Sequence, residues 1–362
     1  MADLLKNMYN SESLSELAQN IRSVYSAFQA EEFLKSVMDG TWDSLELKGR
    51  VRQISVNLGK YLPADYSAAI DIIDKVVVNY SPGFFSIFFP DFVEVYGQDE
   101  ANWDLSMAAL ERYTPYSSSE FAVRPFIISH EERMMAQMAA WAKHENEHVR
   151  RLASEGCRPA LPWGQALNKY KKDPSPVLPI LTQLKADPSL YVRKSVANNL
   201  NDISKTHPGL IVKLAKEWYG ENEHTDWIVK HGCRTLLKQG NRNVLSIFGY
   251  HDGETIDVSS FTLDAASVSL GDDITFSFAV CAKELTKLRL EYGVDYVKSN
   301  EKMNRKIFQI SEILLKRNEE KFYVKKHSFA DLSTRKHYPG THSITLIVNG
   351  VERGKLDFEL KM

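Results

Sequence analysis

An α-helical solenoid over residues 1–250, followed by a β-sandwich over 251–362, is the fold class that the sequence predicts. Three observations carry it: a long row of short amphipathic segments, an internal repeat among them, and a change to strand-like alternation near residue 250. A chain of 362 residues has room for two or three domains at roughly 150 residues each. Its 43% hydrophobic and 25% charged residues are ordinary globular usage, which excludes a disordered, collagenous or coiled-coil chain. No apolar run approaches the ~18 residues of a membrane span. The first residues, MADLLKNMYNSESLSELA, are polar and amphipathic, unlike a signal peptide. The three cysteines, Cys157, Cys233 and Cys281, are too few for a disulfide framework, so a reducing cytoplasm is the expected compartment.

The helical elements begin at 11–38. There Leu14, Leu17, Ile21, Val24 and Phe28 recur at spacings of three and four and form one apolar face, with Ser11 or Ser13 as the starting cap. Further helical segments are predicted at 47–62, 66–80, 103–114, 130–144, 147–158, 175–187, 189–205, 208–220 and 225–240, with Pro, Gly, Asp or Asn in the breaks. A repeat links three of them. ENEHVRRLASEGCR at 145–158 and ENEHTDWIVKHGCR at 221–234 share their first four and last three residues, at an offset of 76. Between them DPSLYVRKSVANNLND aligns Val192-Arg193 with Val149-Arg150, which splits the offset into 43 and 33. Helix pairs at such periods are the signature of HEAT-like repeats, which stack because no single unit buries its own apolar face.

After residue 250 about seven strands are predicted, at 257–263, 267–282, 288–298, 306–315, 321–329, 342–350 and 355–362. Their number and spacing suggest an immunoglobulin-like sandwich. The disulfide of antibody domains is excluded, since Cys281 stands alone in this segment.

The net charge of −2 speaks against a nucleic-acid partner until it is divided along the chain. Residues 1–121 hold 9 Lys+Arg against 18 Asp+Glu (net −9), residues 122–253 hold 19 against 13 (net +6), and residues 254–362 hold 17 against 16 (net +1). A basic middle third is the footprint of an anionic partner, or merely of solvated helix faces.

Several motifs fall there. His144 and His148 read formally as H-E-x-x-H, a zinc-hydrolase pattern. The repeat copy has Gly220 in place of the first histidine, so the segment is read as a recurring turn and helix start. Cys157 and Cys233 occupy equivalent repeat positions and are read as small core residues. No P-loop or dinucleotide-binding glycine pattern occurs, which argues against nucleotide cofactors. Glu120 in SSSEFAVRPF, Glu155 in SEGCRP, Trp163 in a Pro-Trp-Gly turn and Asp202 in NNLND are harder to explain as scaffold. As scaffold, Glu155 would be a solvated helix residue, Asp202 a cap and Trp163 a core anchor.

The segments SEGCRPALPWG (154–164) and DPSLYVRKSVANNLNDISKTHP (187–208) resemble the AlkC branch of the bacterial alkylpurine DNA glycosylases. The resemblance spans the helical region, is strongest over 114–240, and extends to the sandwich, which some AlkC members carry. It implies a monofunctional hydrolase of base excision repair. Such an enzyme cleaves the N-glycosidic bond of cationic alkylated bases in double-stranded DNA, 3-methyladenine foremost and 3-methylcytosine as a further candidate. By local motif it implies catalytic roles for Asp202, Glu155 and Glu120 and a lesion contact for Trp163. It calls for no metal or cofactor, and the expected state is a monomer. Arg151, Arg158, Arg193, Lys194, Arg234 and Lys238 are expected to meet phosphates, and Lys325-Lys326 and Arg335-Lys336 are read as loop residues of the sandwich. The competing reading is a non-catalytic HEAT-repeat scaffold that binds DNA or protein without releasing a base.

Overall fold

The structure, a computed structural model, describes residues 4–251, 255–300, 302–331 and 336–362. It separates into two compact units. The first comprises Met1–Thr206 with Gly220–Gly232, the second His207–Tyr219 with Cys233–Met362. Among the described residues the helices are α1 (Ser11–Val24), α2 (Ala30–Val37), α3 (Leu47–Tyr61), α4 (Tyr66–Val77), α5 (Phe88–Tyr96), α6 (Trp103–Tyr113), α7 (Val123–Ser129), α8 (Glu131–Trp141), α9 (Glu147–Gly156), α10 (Asn168–Lys172), α11 (Leu178–Leu184), α12 (Leu190–Ser204), α13 (Pro208–Trp218), α14 (Glu223–Gly232), α15 (Arg234–Lys238) and α16 (Arg242–Ile247). None is long and apolar enough to cross a membrane.

Two differences from the sequence reading stand out. The stretch 11–38 is two helices, because the chain turns at Tyr25–Gln29. Helices α5 and α7 carry no readable stripe. Each is short, nine and seven residues with five and four of them buried, so too few turns pass for a period to show.

The repeat governs how the first unit stacks. Helix α9 packs on α12, and α12 on α14. Their starts are capped by Asn146, Ser189 and Asn222, whose side-chain oxygens accept from His148, Tyr191 and His224 main-chain N–H at 2.9, 3.2 and 3.0 Å. The caps are separated by 43 and 33 residues, the offsets of the repeat. The aligned arginines do the same work. Arg150 Nη1 donates to the carbonyls of His144 and Glu145 (3.0 and 2.7 Å), and Arg193 Nη1 to those of Asp187 and Pro188 (2.9 and 2.8 Å). Each closes the turn before its own helix.

The repeated Gly-Cys ends α9 and α14 at close approaches. A Cβ on Gly156 would lie 2.6 Å from Val123 Cγ2 and 3.0 Å from Met138 Cε, and one on Gly232 2.9 Å from Leu200 Cβ. The cysteines behind them are core, as expected. Burial pushes both the Cys157 and the Cys233 thiol up to about 12, so neither is a nucleophile.

In the second unit eight strands form two sheets: β1 (Ile256–Leu263), β2 (Ser267–Ser269), β3 (Asp273–Ala282), β4 (Thr286–Val297), β5 (Met303–Leu315), β6 (Glu320–Ser328), β7 (Gly340–Val348) and β8 (Val351–Lys361). The orders are β1-β3-β6 and β2-β8-β7-β4-β5, all antiparallel save β2 beside β8. The predicted strand 267–282 is two strands, since Gly271 turns the chain at φ +95°. Inward residues of both sheets, among them Phe276, Phe278, Leu288, Leu290, Ile344 and Phe358, make one core. Residues 233–251 pack with this unit. Asn349 donates to the carbonyls of His251 (2.7 Å) and Lys287 (3.1 Å), and Lys287 Nζ to that of Phe248 (2.9 Å). Lys325 and Lys326 lie within β6 and not in a loop, because β6 pairs with β3 along its whole length. Lys336 is exposed, and Arg335 lies outside the described residues.

Gly156→Ala is expected to destabilise the protein by ~1–3 kcal/mol through overpacking, although alanine is the better helix former. A urea midpoint equal to the wild-type value would show that the approach of α9 to Val123 and Met138 is not tight.

Candidate active site

The site is built on α9 and α12. On the α9 side Arg151, Glu155 and Arg158 follow at intervals of four and three, so their side chains share one line. On the α12 side Asp202 and Lys205 are three apart. Arg158 joins the two elements. Its Nη1 lies 2.5 Å from Glu155 Oε1, and its Nε and Nη2 each lie 2.9 Å from Asp202 Oδ2. Lys205 Nζ donates to Asp202 Oδ1 at 3.0 Å. Glu155, Arg158 and Asp202 are 4, 6 and 5% exposed, so this is a buried ionic group. Glu155 is therefore no solvated helix residue, and Asp202 stands inside α12 as an ion-pair partner, not a cap.

Arg151 carries the row outward. Its Nη1 donates to Glu120 Oε2 at 2.8 Å and to Ser118 Oγ at 3.0 Å, and its Nη2 lies 3.6 Å from Glu155 Oε1. Ser118 Oγ donates to the same Glu120 oxygen at 2.9 Å. The Arg151 guanidinium also lies 4.7 Å from the centre of the Tyr191 ring. Burial lowers both guanidinium pKa values, but Glu120 and Glu155 beside Arg151, and Glu155 and Asp202 beside Arg158, hold them above the usual arginine value. Both stay cationic. Three carboxylates thus alternate with two arginines, with Lys205 at the rim, and Glu155 Oε2 is buried without a hydrogen-bond partner among the described residues.

Glu120, Arg151 and Tyr191 line an open cleft of about 390 Å³ together with Phe84, Phe121 and His148. Trp163 is 61% exposed and is not a core anchor. Its backbone is left-handed, φ +61°, a conformation that costs a bulky residue on the order of 1–2 kcal/mol. Lys48 Nζ donates to its carbonyl at 2.9 Å, and its ring meets Phe84 edge-on at 6.3 Å.

The structure therefore brings Glu120, Glu155, Asp202, Arg151 and Arg158 into one chain of contacts. Arg158 and Arg151 direct their guanidinium groups at carboxylates, and Arg193 directs Nη1 at turn carbonyls. Lys194 is exposed on α12, while Arg234 and Lys238 stand on α15 in the second unit. Sequence reading missed Ser118, Tyr191, Lys205 and the interior role of Arg124. The spacing Arg151-Glu155-Arg158 and the Asp202-Lys205 pair were signals that could have found part of this. His144 precedes α9, and its Nδ1 accepts from the Asn146 N–H at 3.0 Å, so it does not share a helix face with His148.

Comparison with known proteins agrees with this geometry. Residues 114–236 match the family described as DNA alkylation repair enzyme, and residues 257–362 match the C-terminal Ig-like domain of YhaZ. A Bacillus subtilis protein, "Uncharacterized protein YhaZ", is 48% identical over 99% of this chain and all of its own length. The alkylpurine DNA glycosylase AlkC of Pseudomonas fluorescens, seen bound to DNA containing an abasic site analog, superposes with a TM-score of 0.96. It is 38% identical, over 99% of this chain and all of that one. Stacked helical repeats of the DNA alkylation repair type, followed by an Ig-like sandwich, define the class as a DNA glycosylase. The chain belongs to the AlkC family of alkylpurine DNA glycosylases.

Arg158→Ala leaves two buried carboxylates without their shared cation. The expected cost is ~3–5 kcal/mol, read from urea unfolding. A loss below ~1 kcal/mol would show that the bridge carries little weight.

Proposed function

We propose that this protein releases cationic alkylated bases from duplex DNA, 3-methyladenine foremost and 3-methylcytosine next, as the first step of base excision repair. The row of three carboxylates around two guanidinium groups, with Glu155 and Asp202 buried, carries the reading, above all Glu155 Oε2, which has no hydrogen-bond partner among the described residues. A base alkylated on a ring nitrogen is already a cation and leaves without strong acid help. The sugar then passes through an oxocarbenium-like state, which a fixed carboxylate stabilises.

Glu155 Oε2, which accepts no hydrogen bond among the described residues, carries the least compensated charge and stabilises the sugar cation through its field. Asp202, with both oxygens engaged, supplies field, and Glu120 adds to it from the cleft wall. Trp163 offers an exposed π face to a cationic base. The exposed Lys194 and Lys238, and Arg234, are assigned to phosphates, where each would weaken binding without changing which lesion is chosen. The enzyme acts as a cytoplasmic monomer.

Base-release chromatography on methylated DNA tests the proposal. Free 3-methyladenine is expected from the wild type, with losses of at least ~10²-fold for Glu155→Gln and Asp202→Asn in folded protein. Trp163→Ala should slow release without lowering the melting temperature. Binding of methylated duplex without any base release would favour the scaffold reading instead. Undiminished release by both carboxylate variants would sink the catalytic assignment.

A further inference from the structure

Arg124 stands in the first turn of α7, four residues after Glu120, and is 0% exposed. Among the described residues no carboxylate pairs with it. All three guanidinium nitrogens donate instead to main-chain carbonyls: Nη1 to Gly156 at 2.8 Å, Nη2 to Arg158 at 2.9 Å, and Nε to Gln165. A cation buried without an opposing charge is costly, and folds retain one only where its hydrogen bonds do something nothing else can. Burial draws the Arg124 group down to about 10, which leaves it charged at neutral pH.

The three carbonyls belong to one segment. Gly156 ends α9, Arg158 supplies the side chain between Glu155 and Asp202, and Gln165 follows Trp163 by two residues. Between these anchors the chain is irregular, closed by the Leu167 N–H donating to the Pro159 carbonyl at 3.2 Å, and it holds Trp163 in its left-handed conformation. On its own side, the Arg124 N–H donates to the Phe121 carbonyl at 3.2 Å, one residue past Glu120. One planar fork therefore fixes both ends of the segment that carries Trp163, and ties that segment to the turn that carries Glu120. A lysine has the charge but not the fork.

We propose that Arg124 is a positioning residue for hydrolysis of the glycosidic bond: it sets the place of Trp163 and of the Arg158 main chain while touching neither substrate nor water. The inference rests on the function proposed above.

The test uses full-length protein labelled with 5-fluorotryptophan, in which the Trp163 resonance is identified by its loss in Trp163→Phe. In Arg124→Lys, with the circular dichroism of the wild type, the Trp163 fluorine signal is expected to shift or broaden. Single-turnover release of 3-methyladenine should fall by ~10- to 100-fold while duplex affinity stays within about twofold, since misplacement by about 1 Å costs rate more than binding. An unmoved Trp163 signal, or affinity and release falling together, overturns the proposal. Pro162→Gly keeps the test decisive should Arg124→Lys fail to fold, because Pro162 is exposed and its loss loosens the segment while leaving the clamp. Release within about threefold of wild type is expected there, as Arg124 still pins both ends. A tenfold loss would assign the positioning to the segment's own stiffness. If the wild type released no base, the functional reading would fall, and the fluorine signal would still decide whether Arg124 holds Trp163.

Discussion

Two buried carboxylates held by one guanidinium constrain much of the first unit. Glu155 and Asp202 come from helices 43 residues apart in the repeat, and each is almost fully removed from water. An isolated buried carboxylate costs several kcal/mol, so the pair exists only if Arg158 reaches both at hydrogen-bond distance. That requirement sets how α9 and α12 lie against each other. The glycine ending α9 allows the close approach of Val123 and Met138, and Asn199 on α12 donates to the Ser154 carbonyl at 2.9 Å, one residue from Glu155. Scaffold and chemistry meet in the same few contacts.

Much of the positive charge of the middle third is spent inside the fold. Arg124, Arg150, Arg151, Arg158 and Arg193 turn inward to carbonyls and carboxylates. Lys194 and Lys238 face solvent. The chemistry of the guanidinium suits these five arginines to that use. A guanidinium is weakly hydrated and presents several donors in one plane, which suits it to buried acceptors, whereas an ammonium keeps its water. A charge count over a segment therefore overstates the field offered to a phosphate backbone.

The repeat was legible in the sequence to the residue. Asn146, Ser189 and Asn222 cap their helices at the offsets read from ENEH, Val-Arg and Gly-Cys-Arg, because a cap and a tight glycine each demand a particular residue type. Glu120, Glu155 and Asp202 were legible as residues out of place in a scaffold, and the structure links them through Arg151 and Arg158. The roles of the arginines were not legible, since a basic residue on a helix reads the same whether it closes a turn, bridges carboxylates or meets solvent. Helices α5 and α7 escaped because at nine and seven residues they pass too few turns to show a period. Lys325 and Lys326 were misplaced into a loop because adjacent lysines look like a surface turn, while the pairing of β6 with β3 is a long-range fact.

Trp163 pairs a strained backbone with an aromatic ring left in water. Glycine at this position would relax the turn, and any smaller or polar side chain would lessen the exposed apolar surface. The tryptophan therefore brings the fold little stability of its own. This position is one where durability and activity pull in opposite directions, and where a stabilised variant is expected to be the poorer enzyme.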